Sequence, residues 1–205
     1  MKYLSTSEVR ALELKANEIR QSIIEMLVAA GSGHTAGPLG MADIFTLLYF
    51  AVLKHDPKNV DWEDRDRLIL SNGHICPVLY ATMAHAGYFP VEELLTLRKF
   101  GSRLQGHPHR ETLPGLETSS GPLGSGLSQA VGMALAERLN NPYSAKYFYC
   151  LTGDGELDEG QIWEALMLAG KEKLNNLIVI VDRNGIQIDG YTKDVMPLEP
   201  LAEKF

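Results

Sequence analysis

The chain has 205 residues, of which 45% are hydrophobic and 22% are charged, and its formal net charge is -7. This composition is typical of a globular protein with a sizeable core, and the absence of a basic cluster argues against a nucleic-acid partner. The amino terminus is too polar for a signal peptide, and no apolar run reaches the roughly 20 residues that span a bilayer, so we expect no membrane partner.

Helical periodicity predicts that much of the first hundred residues is helical. Ser5 and Glu8 have the spacing of a capping box, and the apolar residues that follow predict a helix ending near Ala30. Further helices are predicted over residues 41–53, 77–86 and 91–100, with a short strand over residues 68–70. Five methionines on apolar helix faces are expected in the core: Met26, Met41, Met83, Met133 and Met167.

The second half of the chain predicts a parallel sheet. Residues 101–126 are rich in Gly, Pro, Ser and His, as in a functional loop, and a helix is predicted over residues 127–139 with Leu139 on its apolar face. A strand ending in "GDG", a helix and the strand in "NLIVIVDRNG" then form a βαβ unit of about 35 residues, which requires parallel strands. We therefore predict one α/β domain over residues 1–205, with a doubly wound parallel sheet.

The two turns of this βαβ unit carry residues suited to a metal ion. Open parallel sheets bind ligands at the carboxyl ends of their strands, where Asp154 and Asn184 should lie together. With the backbone carbonyl of Ile186, they offer hard oxygen ligands for Mg²⁺ or Ca²⁺. Gly153 and Gly155 allow a phosphate to approach the backbone closely. Each turn alone is explained by ordinary turn chemistry, but the pair favours a metal–diphosphate site.

The GDG turn, followed about thirty residues later by an asparagine turn, resembles the thiamine diphosphate-binding motif. Further segments resemble, in the same order, the amino-terminal part of transketolase: "SGHTAGPLGMADI", "DRDRLILSNGH", "QGHP" and "SSGPLGSGLSQAVGMALAE". The resemblance extends from near Ala16 to the end of the chain, and "VMPLEPLAEKF" is similar to the split form of the enzyme, which is encoded by two genes. It implies the thiamine diphosphate-binding fold, as a diphosphate-binding domain that is incomplete at its carboxyl end.

The resemblance also implies contacts with the cofactor. Asp154, Asn184 and the Ile186 carbonyl would hold the metal. The glycines of the GDG turn and His74 would lie beside the diphosphate, whereas Gly121 and Leu123 would lie against the rings of the cofactor.

Four residues are candidates for catalysis. His34, His74 and His107 each follow a glycine in a loop, and imidazole, which titrates near neutrality, suits proton transfer to hydroxyl and alkoxide oxygens. The resemblance places all three near the reacting carbons, although in "GHPH" the role of His107 is open to confusion with His109. Glu159 would join a carboxylate network at a subunit interface, and its position in the first turn of a helix explains it equally well.

The activity implied by the resemblance is transfer of a two-carbon ketol unit from a ketose phosphate to an aldose phosphate. It also implies a carboxyl-terminal transketolase subunit carrying the pyrimidine-binding domain, in a dimer or heterotetramer that acts on sugar phosphates in the pentose phosphate pathway. The two cysteines have no metal-binding or disulfide spacing, which favours a reducing cytoplasm.

Alternative functions remain open at this point. In one alternative the chain is a catalytically inactive binding half. In another it is the α-subunit of a 2-oxoacid dehydrogenase, or a 1-deoxyxylulose-5-phosphate synthase, and both of these enzymes share the GDG element. "SNGH" and "QGHP" favour transketolase over the latter two. A Rossmann site is disfavoured because the glycines of "GPLGSGLSQAVG" follow a loop, and a P-loop is disfavoured more strongly because no Gly-Lys-Ser/Thr occurs.

Overall fold

The computed structural model of the protein describes residues 3–205, which fall into two compact units. The first unit comprises the chain up to Arg65 together with His74–Gly115, and the second comprises Asp66–Gly73 together with Leu116–Phe205. Compactness is not the same as independent folding, so the single domain over residues 1–205 stays a prediction. In the part of the chain that the structure describes, no helix has both the length and the apolarity needed to cross a membrane.

The first unit is helical. Its α-helices are α1 (Thr6–Ala30), α2 (Ala36–Gly40), α3 (Ala42–Leu47) and α4 (Cys76–His85), with a π-helical turn at Leu48–Val52 and a 3₁₀-helix at Val91–Thr96. Helix α1 packs against α3 and α4. The helix predicted over residues 41–53 is therefore present with an altered end, in which the N–H of Leu53 donates to the carbonyl of Leu48, 2.8 Å away, in the five-residue spacing of a π-turn.

Helix α1 begins and ends where the sequence predicts. The Ser5 hydroxyl accepts the N–H of Glu8 at 3.3 Å, and the Glu8 carboxylate accepts the N–H of Ser5 at 2.7 Å, which completes the capping box. The helix ends before Gly31, whose φ of +66° is left-handed and favours glycine. Its apolar stripe is buried as predicted, including Ile19 and Ile23.

The helix predicted over residues 91–100 ends at Thr96, so the prediction is wrong for residues 97–100. Leu97 has a ψ of 129°, which is not helical, and Arg98 has a φ of +59°, which a continuing helix cannot contain. The N–H of Arg98 donates instead to the carbonyl of Leu104 at 2.8 Å, and Phe100 is fully exposed. A tertiary hydrogen bond thus replaces the local helical pattern.

The second unit contains a three-stranded parallel sheet, which confirms the predicted α/β class. The strands β1 (Arg67–Leu70), β2 (Phe148–Gly153) and β3 (Leu177–Asp182) lie in the order β1-β2-β3. The remaining elements are α5 (Ser125–Asn140), a 3₁₀-helix at Gly155–Asp158, α6 (Gly160–Glu172), the antiparallel pair β4 (Ile186–Gln187) and β5 (Gly190–Tyr191), α7 (Thr192–Val195) and α8 (Leu201–Lys204).

One core cluster joins the sheet to α5 and α6. It includes Ile69 and Cys150 from the strands, Leu127 and Val131 from α5, and Ile162 from α6. Because the three strands are parallel, their carboxyl ends lie at one edge of the sheet. The residues that follow those ends are therefore neighbours, although they are distant in sequence.

Two residues expected in apolar positions are exposed. Met167 is 75% exposed because it lies about 200° around α6 from the buried Ala165, at 100° per residue. Leu139 is 70% exposed, because the apolar stripe of α5 leaves the core in the last turn of the helix. Met26, Met41 and Met83 are buried as expected.

Two glycines of α5 give a matched test of its packing against β1. A Cβ at Gly126 would lie 2.5 Å from the Cα of Ser71, whereas a Cβ at Gly132 would meet nothing within 4 Å. We expect Gly126→Ala to lower the free energy of unfolding by about 1–3 kcal/mol. Gly132→Ala should raise it by about 0.5–1 kcal/mol, because alanine is the better helix former. Urea denaturation measures both, and equal effects would contradict the close packing.

Candidate functional site

Asp154 connects the two turns that the sequence singles out. It follows β2, is only 1% exposed, and its Oδ1 accepts the N–H of Gly155 at 3.0 Å. Its Oδ2 accepts the N–H of Gly185, in the turn after β3, at 2.7 Å. The structure therefore brings the GDG and Asn-Gly turns into direct contact at the carboxyl edge of the sheet.

Asn184 lies in the same turn as Gly185 and forms local hydrogen bonds. Its Nδ2 donates to the carboxylate of Asp182 at 3.1 Å, and its Oδ1 accepts the N–H of Ile186 at 3.0 Å. An amide oxygen has two lone pairs, so the Oδ1 retains the capacity to bind a metal ion. Burial, followed by the nearby charge of Asp154, raises the pKa of Asp182 against the opposing effect of the Asn184 hydrogen bond.

The donor set at this edge fits a hard cation. Asp154 supplies a carboxylate, Asn184 an amide oxygen and Ile186 a backbone carbonyl, which are the oxygen ligands that Mg²⁺ and Ca²⁺ prefer. Within residues 3–205, no group of three or more His, Cys, Asp or Glu side chains is arranged to hold a metal. Any metal site at this edge therefore depends on amide and backbone oxygens as well as on Asp154.

Arg183 already places a positive charge on Asp154. Its Nη1 lies 3.5 Å from the Oδ2 of Asp154, and its Nη2 pairs with the carboxylate of Glu199. The guanidinium thus neutralises part of the charge of the buried carboxylate. The sequence alone does not single out Arg183, because one arginine in a turn has no distinctive spacing.

Glu156 is a second buried carboxylate at this edge, and the sequence does not single it out either. It is 2% exposed and accepts the N–H of Gly124 at 2.6 Å, the N–H of Gly153 at 3.0 Å and the hydroxyl of Ser71. Burial raises the pKa of Glu156 against the effect of these hydrogen bonds. The sequence identifies Glu159 as a candidate because it matches the family pattern. It does not identify Glu156, because the contacts of Glu156 are with segments that are distant in sequence.

The turn that contains Gly121 and Leu123 is held from the amino-terminal end of α6. The Nε2 of Gln161 donates to the carbonyl of Leu123 at 3.1 Å, and Gly124 has a φ of +83°. Glu159 is exposed and forms no side-chain hydrogen bond with the helix that follows it. Its expected place in an interface network stays a prediction, as do the contacts of Gly121 and Leu123 with the cofactor.

The first unit brings the candidate histidines together. The rings of His34 and His74 have centroids 4.9 Å apart. Burial lowers the pKa of His74 to about 4, and the charges of His34 and then His107 contribute to that decrease. Burial, followed by the charges of His34 and Arg98, lowers the pKa of His107 as well. His109 has a buried Nδ1 with no hydrogen-bond partner among residues 3–205.

Close packing and backbone conformation favour glycine before two of these histidines. A Cβ at Gly106, before His107, would lie 2.9 Å from the Nε of Arg98. A Cβ at Gly33, before His34, would lie 2.6 Å from Leu27 and 3.5 Å from the Nη1 of Arg98, and Gly33 has a φ of +131°. Arg98 therefore restricts the position before His107, whereas Leu27 and the positive φ restrict the position before His34.

Comparison with known proteins identifies the family. Residues 12–205 match the model of the family described as transketolase, thiamine diphosphate binding domain. The chain belongs to this family. It is 46% identical over 194 residues to the 6-deoxy-6-sulfo-D-fructose transketolase subunit SqwG of Clostridium sp. (strain MSTE9), with 95% of the chain and 70% of that protein covered. It is 43% identical to an apulose-4-phosphate transketolase subunit from Actinobacillus succinogenes, with the same coverage.

Solved transketolase structures share the fold. The chain superposes on transketolase from Leishmania mexicana with a TM-score of 0.88 and 40% sequence identity, covering 94% of this chain and 30% of that one. It therefore spans less than a third of that transketolase, and about two thirds of the subunit-type relatives. The predicted thiamine diphosphate-binding fold is confirmed.

The pKa of His74 can be measured directly. We expect its imidazole to titrate near pH 4 in proton NMR, and His34→Asn to raise that pKa because it removes a neighbouring positive charge. Since the folded pKa lies below the ordinary 6.5, His74 contributes stability above pH 6.5 that is lost as the pH falls towards 4. His74→Gln should lack this pH-dependent contribution to the free energy of unfolding. The free energy of unfolding of the variant should therefore rise relative to that of the wild type as the pH falls from 6.5 towards 4. An ordinary pKa for His74 would contradict the packing of the cluster.

Proposed function

We propose that the chain is the diphosphate-binding part of a transketolase that transfers a two-carbon ketol unit from a ketose phosphate to an aldose phosphate. The observation that carries this proposal is the buried carboxylate of Asp154, which joins the two turns of the family motif. Thiamine diphosphate, when bound, supplies the nucleophilic carbon that cleaves the bond beside a ketone. The residues of the chain bind the cofactor and move protons.

The carboxyl edge of the second unit would hold the cofactor through its metal. Asp154, Asn184 and the Ile186 carbonyl are the proposed ligands of Mg²⁺, with Ca²⁺ as a substitute. Gly153 and Gly155 are proposed to lie beside the diphosphate, and His74 is proposed as a further diphosphate contact. Gly121 and Leu123 are the proposed contacts of the cofactor rings.

The histidines of the first unit would handle protons on the sugar oxygens. Burial lowers the pKa of His74 to about 4 and keeps the ring neutral at pH 7, so we propose that it forms hydrogen bonds with substrate oxygens, and that it takes up a proton only as an oxygen releases one. His34 and His107 are exposed and are proposed to contact the same substrate oxygens. Glu159 is proposed to support activation of the cofactor across a subunit interface.

A partner polypeptide would complete the enzyme. The similar proteins from Clostridium and Actinobacillus are named as transketolase subunits. We therefore propose a carboxyl-terminal subunit that carries the pyrimidine-binding domain, in a dimer or heterotetramer located in the cytoplasm. The sugar phosphates of the pentose phosphate pathway are the proposed substrates.

Reconstitution tests the proposed activity. We expect the chain to show no ketol transfer alone, and to show it with the pyrimidine-domain subunit, Mg²⁺ and thiamine diphosphate when a ketose phosphate is the donor. Asp154→Asn should weaken cofactor binding at least about 100-fold in calorimetric titration, because it removes a charged metal ligand. Asp158→Asn, an exposed acid in the same turn, is the control. Turnover by the chain alone would refute the need for a partner, and turnover of pyruvate instead of a ketose would refute the transketolase assignment.

Variants of Arg183 and Glu199 should change the Mg²⁺ requirement of cofactor binding in opposite directions. A divalent ion on Asp154 would repel the guanidinium of Arg183, which has Glu199 as its other partner. Arg183→Gln should therefore lower the Mg²⁺ concentration needed for half-maximal cofactor binding several-fold, and Glu199→Gln should raise it. Titration of Mg²⁺ at fixed thiamine diphosphate measures both. A shift in the same direction for both variants would contradict competition at Asp154.

A further inference from the structure

Glu156 ties together three segments of the second unit. Its carboxylate accepts hydrogen bonds from Ser71 after β1, from the N–H of Gly124 before α5 and from the N–H of Gly153 at the end of β2. The side chain is almost fully buried, so water cannot replace these donors without opening the site. A single carboxylate therefore fixes the relative positions of two strand ends and one loop.

A carboxylate is well suited to this position. It presents only acceptor lone pairs, whereas the amide of glutamine would place N–H₂ donors beside one of the surrounding donors. A buried N–H that loses its acceptor destabilises the structure by about 1–3 kcal/mol. Glu156→Gln therefore preserves the shape of the side chain but mismatches at least one of its three contacts.

Gln161 holds the same loop at a second point. Its Nε2 donates to the carbonyl of Leu123, one residue before the Gly124 N–H that Glu156 accepts. The contact is close, because a Cβ at Gly124 would lie 3.0 Å from the Cγ of Gln161 and 3.1 Å from the Cβ of Glu159. The peptide group between Leu123 and Gly124 is thus held at both its carbonyl and its N–H.

Both contacts originate from the segment that begins with the GDG turn. Asp154, which would hold the metal, is followed by Glu156 in the 3₁₀-helix and by Gln161 in the first turn of α6. The segment proposed to bind the diphosphate therefore also holds the loop proposed to face the cofactor rings. Its two functions cannot be separated without breaking buried hydrogen bonds.

We propose that Glu156 and Gln161 are positioning residues that hold the loop at residues 121–124 in its binding geometry before thiamine diphosphate arrives. This inference rests on the proposed function, because it assigns the loop a face of the cofactor. A loop that is already ordered loses less conformational entropy on binding, so the contacts increase affinity without touching the ligand. The cofactor-free protein should therefore show a protected loop.

Hydrogen exchange tests the order of the loop without cofactor. We expect Glu156→Gln to accelerate exchange of the amides at residues 121–127 in the full chain, and Gln161→Ala to do so to a smaller extent. Glu164→Gln removes an exposed acid of α6 and should leave the exchange unchanged. Unchanged exchange in both Glu156→Gln and Gln161→Ala would overturn the proposal.

Cofactor titration at saturating Mg²⁺ tests the effect on binding. We expect Glu156→Gln to weaken thiamine diphosphate binding by about 10-fold or more and Gln161→Ala by less, as for residues that orient a site from behind. Because both side chains hold one loop, the double variant should lose less affinity than the two single losses combined. Glu156→Asp, which keeps an acceptor, should bind more tightly than Glu156→Ala.

The outcomes separate this inference from the proposed function. If the wild-type chain, reconstituted with the pyrimidine-domain subunit and Mg²⁺, does not bind thiamine diphosphate, the proposed function fails and the loop has no role in binding. If the wild type binds and Glu156→Gln and Gln161→Ala bind equally well, the function stands and this inference alone is wrong. Should Glu156→Gln fail to fold, Gln161→Ala tests the second contact of the loop, and Ser71→Ala tests Glu156 by removing one of its three donors.

Discussion

The structure of the second unit depends on satisfying two buried carboxylates at one edge of a parallel sheet. Parallel strands bring the segments after β1, β2 and β3 together at that edge. Asp154 accepts N–H groups from the turns after β2 and β3, and Glu156 accepts donors from the segment after β1, from the loop before α5 and from the end of β2. A buried carboxylate is costly unless it is fully hydrogen-bonded, so the loops cannot separate from it cheaply.

The charges at this edge favour a cation. Burial raises the pKa of Asp182, and the nearby charge of Asp154 adds to that increase. Arg183 offsets part of that charge, but from 3.5 Å and while shared with Glu199. A divalent ion would offset more of it, because it carries twice the charge and binds the oxygens directly. Neutralisation of the negative charge of Asp154 thus accounts for the position of Arg183 and supports the proposed metal site.

The parts of the fold that the sequence predicts are those governed by local patterns. The capping box at Ser5 and the apolar stripe that follows it define α1, and the alternation of strand, helix and strand defines the sheet from β2 to β3. The end of the helix at Thr96 is not predictable from a local pattern, because a hydrogen bond to Leu104 redirects the chain at Arg98. The role of Glu156 is not predictable for a similar reason, since its partners lie in three segments that become neighbours only after folding.

The histidine cluster shows how burial and charge select one chemical form. His34 and His74 have ring centroids 4.9 Å apart, so a proton on one ring disfavours a proton on the other. Burial acts in the same direction on His74 and His107, and the charge of Arg98 adds to it at His107. The low pKa of His74 therefore does not depend on a single neighbour. A site arranged in this way keeps His74 neutral near pH 7, so that its ring offers one N–H donor and one acceptor nitrogen.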